Sequence, residues 1–100
     1  MNDYIFLMHG DSSRASGEDA SQAWGPYLEK LKASGCFQGG SSMGNGVCVN
    51  KAATEVALSS HLVGFIRVRA QNLAQARELV TGNPVFEAGG TVEIRELPKD

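Results

Sequence analysis

The chain has 100 residues and lacks the features of several large protein classes. Nine Lys and Arg stand against eleven Asp and Glu, so the net charge of -2 predicts no general attraction to nucleic acid or to anionic lipid. The apolar run at residues 4–8 has no basic flank, and it is too short for a signal core or a membrane span. These absences predict a cytoplasmic protein that binds neither nucleic acid nor membranes.

Cysteine is scarce, and the two that occur are poorly spaced for a metal site. Cys36 and Cys48 lie twelve positions apart, with no second cysteine pair and no neighbouring histidine. This spacing argues against a closed zinc site and against a disulfide scaffold. We expect both to be small buried hydrophobic residues, and the sequence predicts neither a metal nor a cofactor.

The composition is that of an ordinary globular domain. With 42% hydrophobic and 20% charged residues, residues 1–100 fit one domain that folds alone or as a small oligomer. A chain of this size buries only about two thirds of the surface that its unfolded form exposes. A large enclosed pocket within one copy is therefore not expected.

The first half of the chain predicts a strand, a helix and a hairpin. Residues 4–8 are a buried strand, and residues 47–50 form the second strand of a hairpin whose first strand lies near Phe37 and whose turn lies at residues 44–46. Pro26 should disturb a helix interior, so we expect the helix to start with a loose turn before Trp24. Apolar residues spaced by three and four define one face of that helix: Ala20, Ala23, Trp24, Tyr27, Leu28 and Leu31.

The second half predicts a strand, a helix and a strand. Residues 61–69 give the strongest strand pattern, and residues 91–97 form the last strand with Val92 and Ile94 facing inward. Asn72 starts the second helix, with Gln75 completing a weak capping box and Gly82 and Pro84 ending it. Its expected buried stripe is Leu73, Ala76, Leu79 and Val80. Residues 52–60 have no clear face and are expected to be irregular with some strand.

This order of elements predicts an α+β fold. Two right-handed strand-helix-strand crossovers place both helices on one face of an antiparallel sheet, which is the ferredoxin-like arrangement. No third helix is predicted that could cover the other face. A second copy is the simplest cover, and two sheets packed face to face would make a homodimer of the dimeric α/β barrel type.

Three blocks of the sequence, YIFLMHGD, WGPYLEKLKASGCFQGG and LVGFIRVRAQNLAQARELVTGNPVFEAGGTVEIREL, resemble the YCII-related proteins, which include the DGPF-domain branch. The resemblance covers most of the chain, and the third block is its most specific part. It implies a dimeric ferredoxin-like fold in a soluble bacterial protein, with a cleft on the sheet.

The chain departs from this family at the positions that matter for catalysis. Some members carry a His early in the first helix and an Asp before the Pro that follows the second helix. Those positions hold Trp24 and Asn83 here, and neither side chain transfers a proton near neutral pH. The Asp-Gly-Pro-Phe motif of the DGPF branch is also absent from residues 52–60. The acid-base pair of the family therefore does not carry over.

His9 and Asp11 are the candidate catalytic residues. An imidazole at the end of the first strand, oriented by a nearby carboxylate, could perform acid-base chemistry in a cleft. The alternative is that Asp11 caps the loop and His9 is the polar end of a core strand.

Five further residues are candidates for ligand binding. An apolar pocket could have its floor formed by Trp24, Tyr27 and Phe65. Arg67 could hold a carboxylate through two hydrogen bonds. Asn83 could line the mouth of the cleft by analogy with the family. The alternatives are core packing for the aromatic residues, a solvated or dimer-interface role for Arg67 and a turn-shaping role for Asn83.

Three functions are compatible with these residues. The preferred hypothesis is a homodimer that binds a small anionic or aromatic metabolite in a sheet cleft. The second is a cofactor-independent lyase or isomerase with His9 as the base, Asp11 as its orienter and Arg67 as an electrostatic clamp. The third is a structural interaction subunit with no ligand pocket and a dry dimer interface.

Overall fold

A computed structural model of the protein describes residues 1–11, 17–52 and 56–99. Its elements, in chain order, are β1 (Asn2–His9), α1 (Gly17–Ala33), β2 (Phe37–Ser42), β3 (Leu62–Ala70), α2 (Leu73–Glu78), α3 (Pro84–Glu87) and β4 (Val92–Leu97). The strands form one antiparallel sheet in the order β2-β3-β1-β4. This topology confirms the ferredoxin-like α+β fold expected from the sequence. Across the described residues, every helix falls short of the length and apolar character that a bilayer crossing requires.

Alternation along the strands separates a covered face from an open face of the sheet. On the covered face Phe6 lies opposite Ile66 and Ile94, and the side chains of Phe6 and Val68 are fully buried. On the open face Ile5 lies opposite Arg67, and Leu7 lies opposite Phe65. The helices cover only the first of these faces. The predicted division of the third strand, with Ile66 and Val68 on one side and Phe65 and Arg67 on the other, is therefore confirmed.

Helix α1 runs through Pro26, contrary to the expected loose turn before Trp24. The preceding residue is Gly25, which has no Cβ for the proline ring to meet, and both residues are exposed on the outer side of the helix. Tyr27 and Leu31 are buried and pack it onto the sheet. The predicted contribution of Ala20 lies outside the described side chains.

The predicted hairpin is wrong in its second strand. Strand β2 pairs with β3, with Phe37 opposite Val68 and Gly40 opposite Ile66. Residues 43–49 form no strand, and only Asn50 makes an isolated bridge. The backbone hydrogen bonds of β2 are made with β3. At Gly40 the two backbones approach so closely that a Cβ would lie 2.5 Å from the Phe65 carbonyl oxygen. In the uncertain segment 52–60, residues 56–59 have no regular structure and residues 53–55 lie outside the described residues.

Helix α2 starts where the sequence predicts, but its buried stripe is narrower. The Asn72 side chain accepts a hydrogen bond from the Gln75 backbone N–H at 2.9 Å, as a helix cap does. Ala76 and Val80 are buried, whereas Leu73 is 52% exposed. Leu73, the first residue of the helix, was therefore wrongly predicted to be buried.

A third helix, α3, follows where the sequence analysis predicted none. Pro84 lies in the first turn of α3. Backbone N–H groups in the first turn of a helix have no carbonyl partner within the helix, so the N–H that proline lacks costs no hydrogen bond there. The Asn83 side chain accepts hydrogen bonds from the N–H groups of Val85 and Phe86. The residues taken as a stop for the second helix thus also begin the third.

Candidate functional site

A cleft of about 600 Å³ opens between the helices and the β2–β3 side of the sheet. Helix α1 supplies Trp24 and Leu28 to its wall, and α3 with its flanking turn supplies Pro84, Val85 and Ala88. The sheet and its strand ends contribute the rest of the lining: Met8, His9, Gly10, Phe37, Gly40, Ser41, Ser42, Val63, Gly64, Phe65 and Ile66. The walls are therefore mainly apolar, and the hydroxyls of Ser41 and Ser42 lie at the sheet edge. The cleft is open to solvent, so it does not contradict the expectation that one copy holds no large enclosed pocket.

Three of the seven candidate site residues line this cleft: His9, Trp24 and Phe65. Asp11, Tyr27, Arg67 and Asn83 lie outside the lining. His9 and Trp24 therefore meet at the cleft, and Phe65 contributes to its lining although it lies opposite Leu7 on the open face of the sheet. The other four have contacts of their own.

Tyr27 supports the cleft wall from behind. Its ring meets Trp24 edge to face, with ring centroids 5.9 Å apart, and its hydroxyl donates to the Leu79 carbonyl at 2.7 Å. Burial raises the pKa of Tyr27 to about 12, and the nearby Asn83 side chain opposes that rise. Tyr27 is therefore a neutral core residue that positions Trp24.

His9 is held by a carboxylate, but the carboxylate belongs to Glu93. Nε2 of His9 lies 3.0 Å from Oε1 of Glu93, and Arg95 Nε donates to Oε2 of the same carboxylate at 2.8 Å. Hydrogen bonds from Arg95 and then from His9 lower the pKa of Glu93, so the group stays ionised. The ionised Glu93 carboxylate accepts a hydrogen bond from Nε2–H, and in the neutral tautomer that carries this N–H the acceptor nitrogen is Nδ1.

The His9 ring also has a second neighbour. The ring of His61 meets it edge to face, with centroids 5.0 Å apart. Among the hydrogen bonds of the described residues, none involves Nδ1 of His9. The imidazole is therefore fixed in orientation on one side and chemically available on the other.

Asp11 contacts Thr91 instead of His9. Its two carboxylate oxygens accept from the Thr91 N–H at 2.8 Å and from the Thr91 hydroxyl at 2.7 Å. The bond from the hydroxyl is the main cause that lowers the pKa of Asp11. Asp11 thus ties the end of β1 to the start of β4, and the orienting contact assigned to it from the sequence is made by Glu93.

Arg67 and Asn83 have structural partners. Arg67 is exposed and donates to the Gln38 carbonyl at 3.1 Å. Asn83 is fully buried, and its Oδ1 caps α3 while its Nδ2 has no hydrogen-bond partner among the described residues. In this state neither side chain reaches the cleft.

Four residues of the site were not predicted from the sequence: Leu28, Phe37 and Val85 in the cleft wall, and Glu93 as the partner of His9. Glu93 could have been found from the strand register. With β1 and β4 adjacent, Leu7 lies opposite Glu93, and His9 is its diagonal neighbour on the same face. No group of three His, Cys, Asp or Glu in the described part of the chain is arranged to hold a metal ion.

Comparison with known proteins gives a fold likeness. No family model matches the chain, and no curated protein sequence matches it. Among solved structures, the chain is similar to 5-chloro-2-hydroxyhydroquinone dehydrochlorinase (TftG) from Burkholderia phenoliruptrix AC1100, in a complex with 2,5-dihydroxybenzoquinone. The TM-score is 0.63 at 20% sequence identity, and the match covers 100% of this chain and 96% of that one. At this identity the likeness establishes the shared fold.

Proposed function

We propose that the chain is a cytoplasmic bacterial homodimer of the YCII-related family that binds a small aromatic or anionic metabolite in the cleft. The observation that carries this proposal is the cleft itself. Its volume of about 600 Å³ lies within the range of small-molecule sites, about 300 to 1,000 Å³. It also argues against an interaction subunit without a pocket.

The wall chemistry favours a flat, largely apolar ligand. Trp24 and Phe37 present aromatic surface from opposite elements, and Leu28 and Val85 add aliphatic surface. A ring placed among them gains burial and aromatic contacts, each worth about 0.5–1.5 kcal/mol beyond area alone. Polar groups lie only at the sheet edge and at His9, so a ligand would bind with its ring inward and its polar substituents toward that edge.

The neighbour of known structure agrees with this ligand class. TftG is described in complex with a dihydroxybenzoquinone, which is a small flat ring with polar substituents. The shared fold supports a ligand of similar size and shape here.

Fluorescence of the single tryptophan tests the binding proposal, because Trp24 lies in the cleft wall. We expect 2,5-dihydroxybenzoquinone or 4-nitrophenol to quench Trp24 fluorescence saturably. Val85→Phe should fill the cleft and raise the Kd about tenfold, a change of about 1.4 kcal/mol. Leu73→Phe is the matched control, because Leu73 is exposed and lies outside the lining. Binding that Val85→Phe leaves unchanged would place the ligand elsewhere.

A second candidate function is a cofactor-independent lyase or isomerase, and the His9–Glu93 contact favours it. An imidazole with Nε2–H held by a carboxylate presents Nδ1 as a general base. Arg95 keeps Glu93 ionised, so the proton accepted by His9 forms an imidazolium stabilised by an adjacent anion. Here Glu93 takes the orienting role that the sequence assigned to Asp11.

Halide release from a halogenated hydroquinone tests this candidate, since the neighbour's name gives that substrate class. If His9 is the base, His9→Ala should remove the activity, and Glu93→Gln should lower kcat by about tenfold to a hundredfold. Glu96→Gln is the control on the same strand, because Glu96 is exposed and lies opposite Tyr4. Activity that survives His9→Ala would exclude the acid-base role and leave binding as the function.

A further inference from the structure

An exposed apolar segment follows β2. We define the arm as residues 43–52 and 56–60, which leave the sheet after Ser42. Val47 is 82% exposed and Val49 is 90% exposed, more than any other large hydrophobic side chains in the described residues. Five of the ten exposed large hydrophobic residues that the structure describes belong to the arm: Met43, Val47, Val49, Val56 and Leu58. Single exposed apolar residues are normal on protein surfaces, but such a concentration marks an interaction site.

The arm has the residue pattern of a strand but forms no strand over residues 43–49. Val47 and Val49 alternate with Cys48 and Asn50, and the Met43 N–H donates to the Val63 carbonyl at 3.0 Å where the arm leaves the sheet. Its own contacts are few: the Cys48 thiol donates to the Ala57 carbonyl at 3.4 Å, and the Asn50 side chain accepts from the Ala52 N–H. An extended segment with free backbone groups is a template for pairing with another chain.

The open face of the sheet is the second unpartnered surface. The part of the molecule that the structure describes is only 18 Å thick, so nothing in it lies over this face. Ile5, Leu7 and Phe65 form its apolar middle. Two of its three arginines are paired with carboxylates within the chain, Asp3 with Arg69 at 3.2 Å and Glu93 with Arg95 at 2.8 Å. The third, Arg67, is exposed and donates to the Gln38 carbonyl at 3.1 Å. A second copy that covers the apolar middle must therefore leave Arg67 hydrated or accept hydrogen bonds from it.

The size of this face points to a larger interface. Four strands about 4.8 Å apart, with about six residues each at about 3.3 Å, give a footprint of about 400 Å². A stable interface buries about 800 Å² per partner. A flat footprint of this size leaves room for a further contact, and the arm holds half of the exposed large hydrophobic residues that the structure describes. In a two-fold symmetric pair, each copy contributes its own open face and its own arm to the interface.

We propose that the arm forms part of the interface between two copies of this chain, with Val47 and Val49 of each copy buried against its partner. The role of the arm rests on the proposed homodimer. It adds to that proposal by naming a segment that contributes to the interface between the two copies. The dimer itself can be tested apart from the role of the arm.

Cys48 provides a direct reporter, because it lies between the two valines and is exposed. The expectation that both cysteines are buried is therefore wrong for Cys48 and confirmed for Cys36. The rate of reaction of Cys48 with a thiol reagent should fall at least tenfold as the protein concentration is raised through the dimer Kd, measured in parallel by sedimentation equilibrium. A dimer in which Cys48 stays as reactive as in the monomer would overturn the role of the arm while keeping the dimer. A monomer at all concentrations would overturn both.

Substitution gives an independent test. Val47→Ser with Val49→Ser should raise the dimer Kd about tenfold or more, since two apolar side chains would lose their burial. Both valines are exposed in one copy, so the variant should keep the far-ultraviolet circular dichroism spectrum of the wild type. Leu73→Ser is the matched control and should leave the Kd unchanged, because Leu73 is an exposed apolar residue on α2. An equal effect of both variants, or no effect of the double variant, would contradict the proposal.

Discussion

The two faces of the sheet are built from the same strands and differ in almost everything else. On the covered face Phe6 and Val68 are fully buried under the helices. One residue away, Ile5 is half-buried, and Arg67 and Arg69 are exposed. The difference shows that a strand's alternation decides only which side chains share a face. The helices, or a second copy, decide whether that face becomes a core.

Truncation of neighbouring residues on the two faces should give the largest contrast. Phe6→Ala leaves a cavity under the helices and should lower the free energy of unfolding by about 3–5 kcal/mol. Ile5→Ala should cost less than about half of that at low protein concentration, because its side chain already contacts solvent. Urea unfolding of the two variants measures the difference.

Repeating the comparison at high protein concentration sharpens it. If two copies associate through the open face, the cost of Ile5→Ala should grow with concentration, because binding to the folded state stabilises it by mass action. The cost of Phe6→Ala should not. Equal costs for the two variants at every concentration would contradict the view that only one face is a core.

The covered face should also show a distinctive loss of stability at alkaline pH. The folded pKa of Tyr27 is raised by burial from 10.0 to about 12, so the unfolded chain loses this proton first. The stabilisation is complete below pH 10 and is lost as pH rises toward 12, by about 2 to 3 kcal/mol in total. Tyr27→Phe should remove this part of the pH dependence. A wild type and variant with parallel curves from about pH 9 to pH 11 would contradict it.

The cap of α3 should have a smaller effect. Asn83→Ala removes the acceptor for the Val85 and Phe86 N–H groups and should cost about 1–2 kcal/mol. Asn83→Ser keeps an oxygen at the cap and should recover part of this loss. Thermal unfolding of both variants measures the loss of folding stability. Equal losses in the two variants would mean that the space filled by Asn83 matters more than its hydrogen bonds.

The smallest effect is expected at the exposed end of β1. The bond from the Thr91 hydroxyl lowers the pKa of Asp11, so its contribution is present above the ordinary pKa of 3.8 and is lost as pH falls through the folded value. Asp11→Asn should make the acid side of the stability curve shallower. Glu96→Gln, on the same sheet, should leave it unchanged. An Asp11→Asn curve that matches the wild type would show that the Thr91 contact does not persist in solution.

Elements with a strong local pattern could be predicted from the sequence, and those defined by pairing could not. The alternation around Ile66 and the cap at Asn72 are local signals, and both were predicted correctly. Strand β2 contains two glycines and two serines, so its extended form depends on pairing with β3. Val47 and Val49 have the stronger strand pattern, but neither belongs to a strand among the residues that the structure describes.

The candidate site shows the same limit. The aromatic stripe of α1 predicted that Trp24 would face the interior, and it does line the cleft. The partner of His9 was missed, because Asp11 is near in sequence whereas Glu93 is near only through the pairing of β1 with β4. Sequence proximity favoured Asp11, and strand order was needed to find the carboxylate that contacts His9.

The long connection between β2 and β3 also has a consequence for how the protein can change over evolutionary time. The entropy of closing a loop grows only with the logarithm of its length, so halving or doubling the connection alters folding stability by about 0.6 kcal/mol. A segment of this kind can gain or lose residues while the sheet beside it stays the same. Related chains could therefore acquire or abandon partners by insertion and deletion at this point, without redesigning their cores.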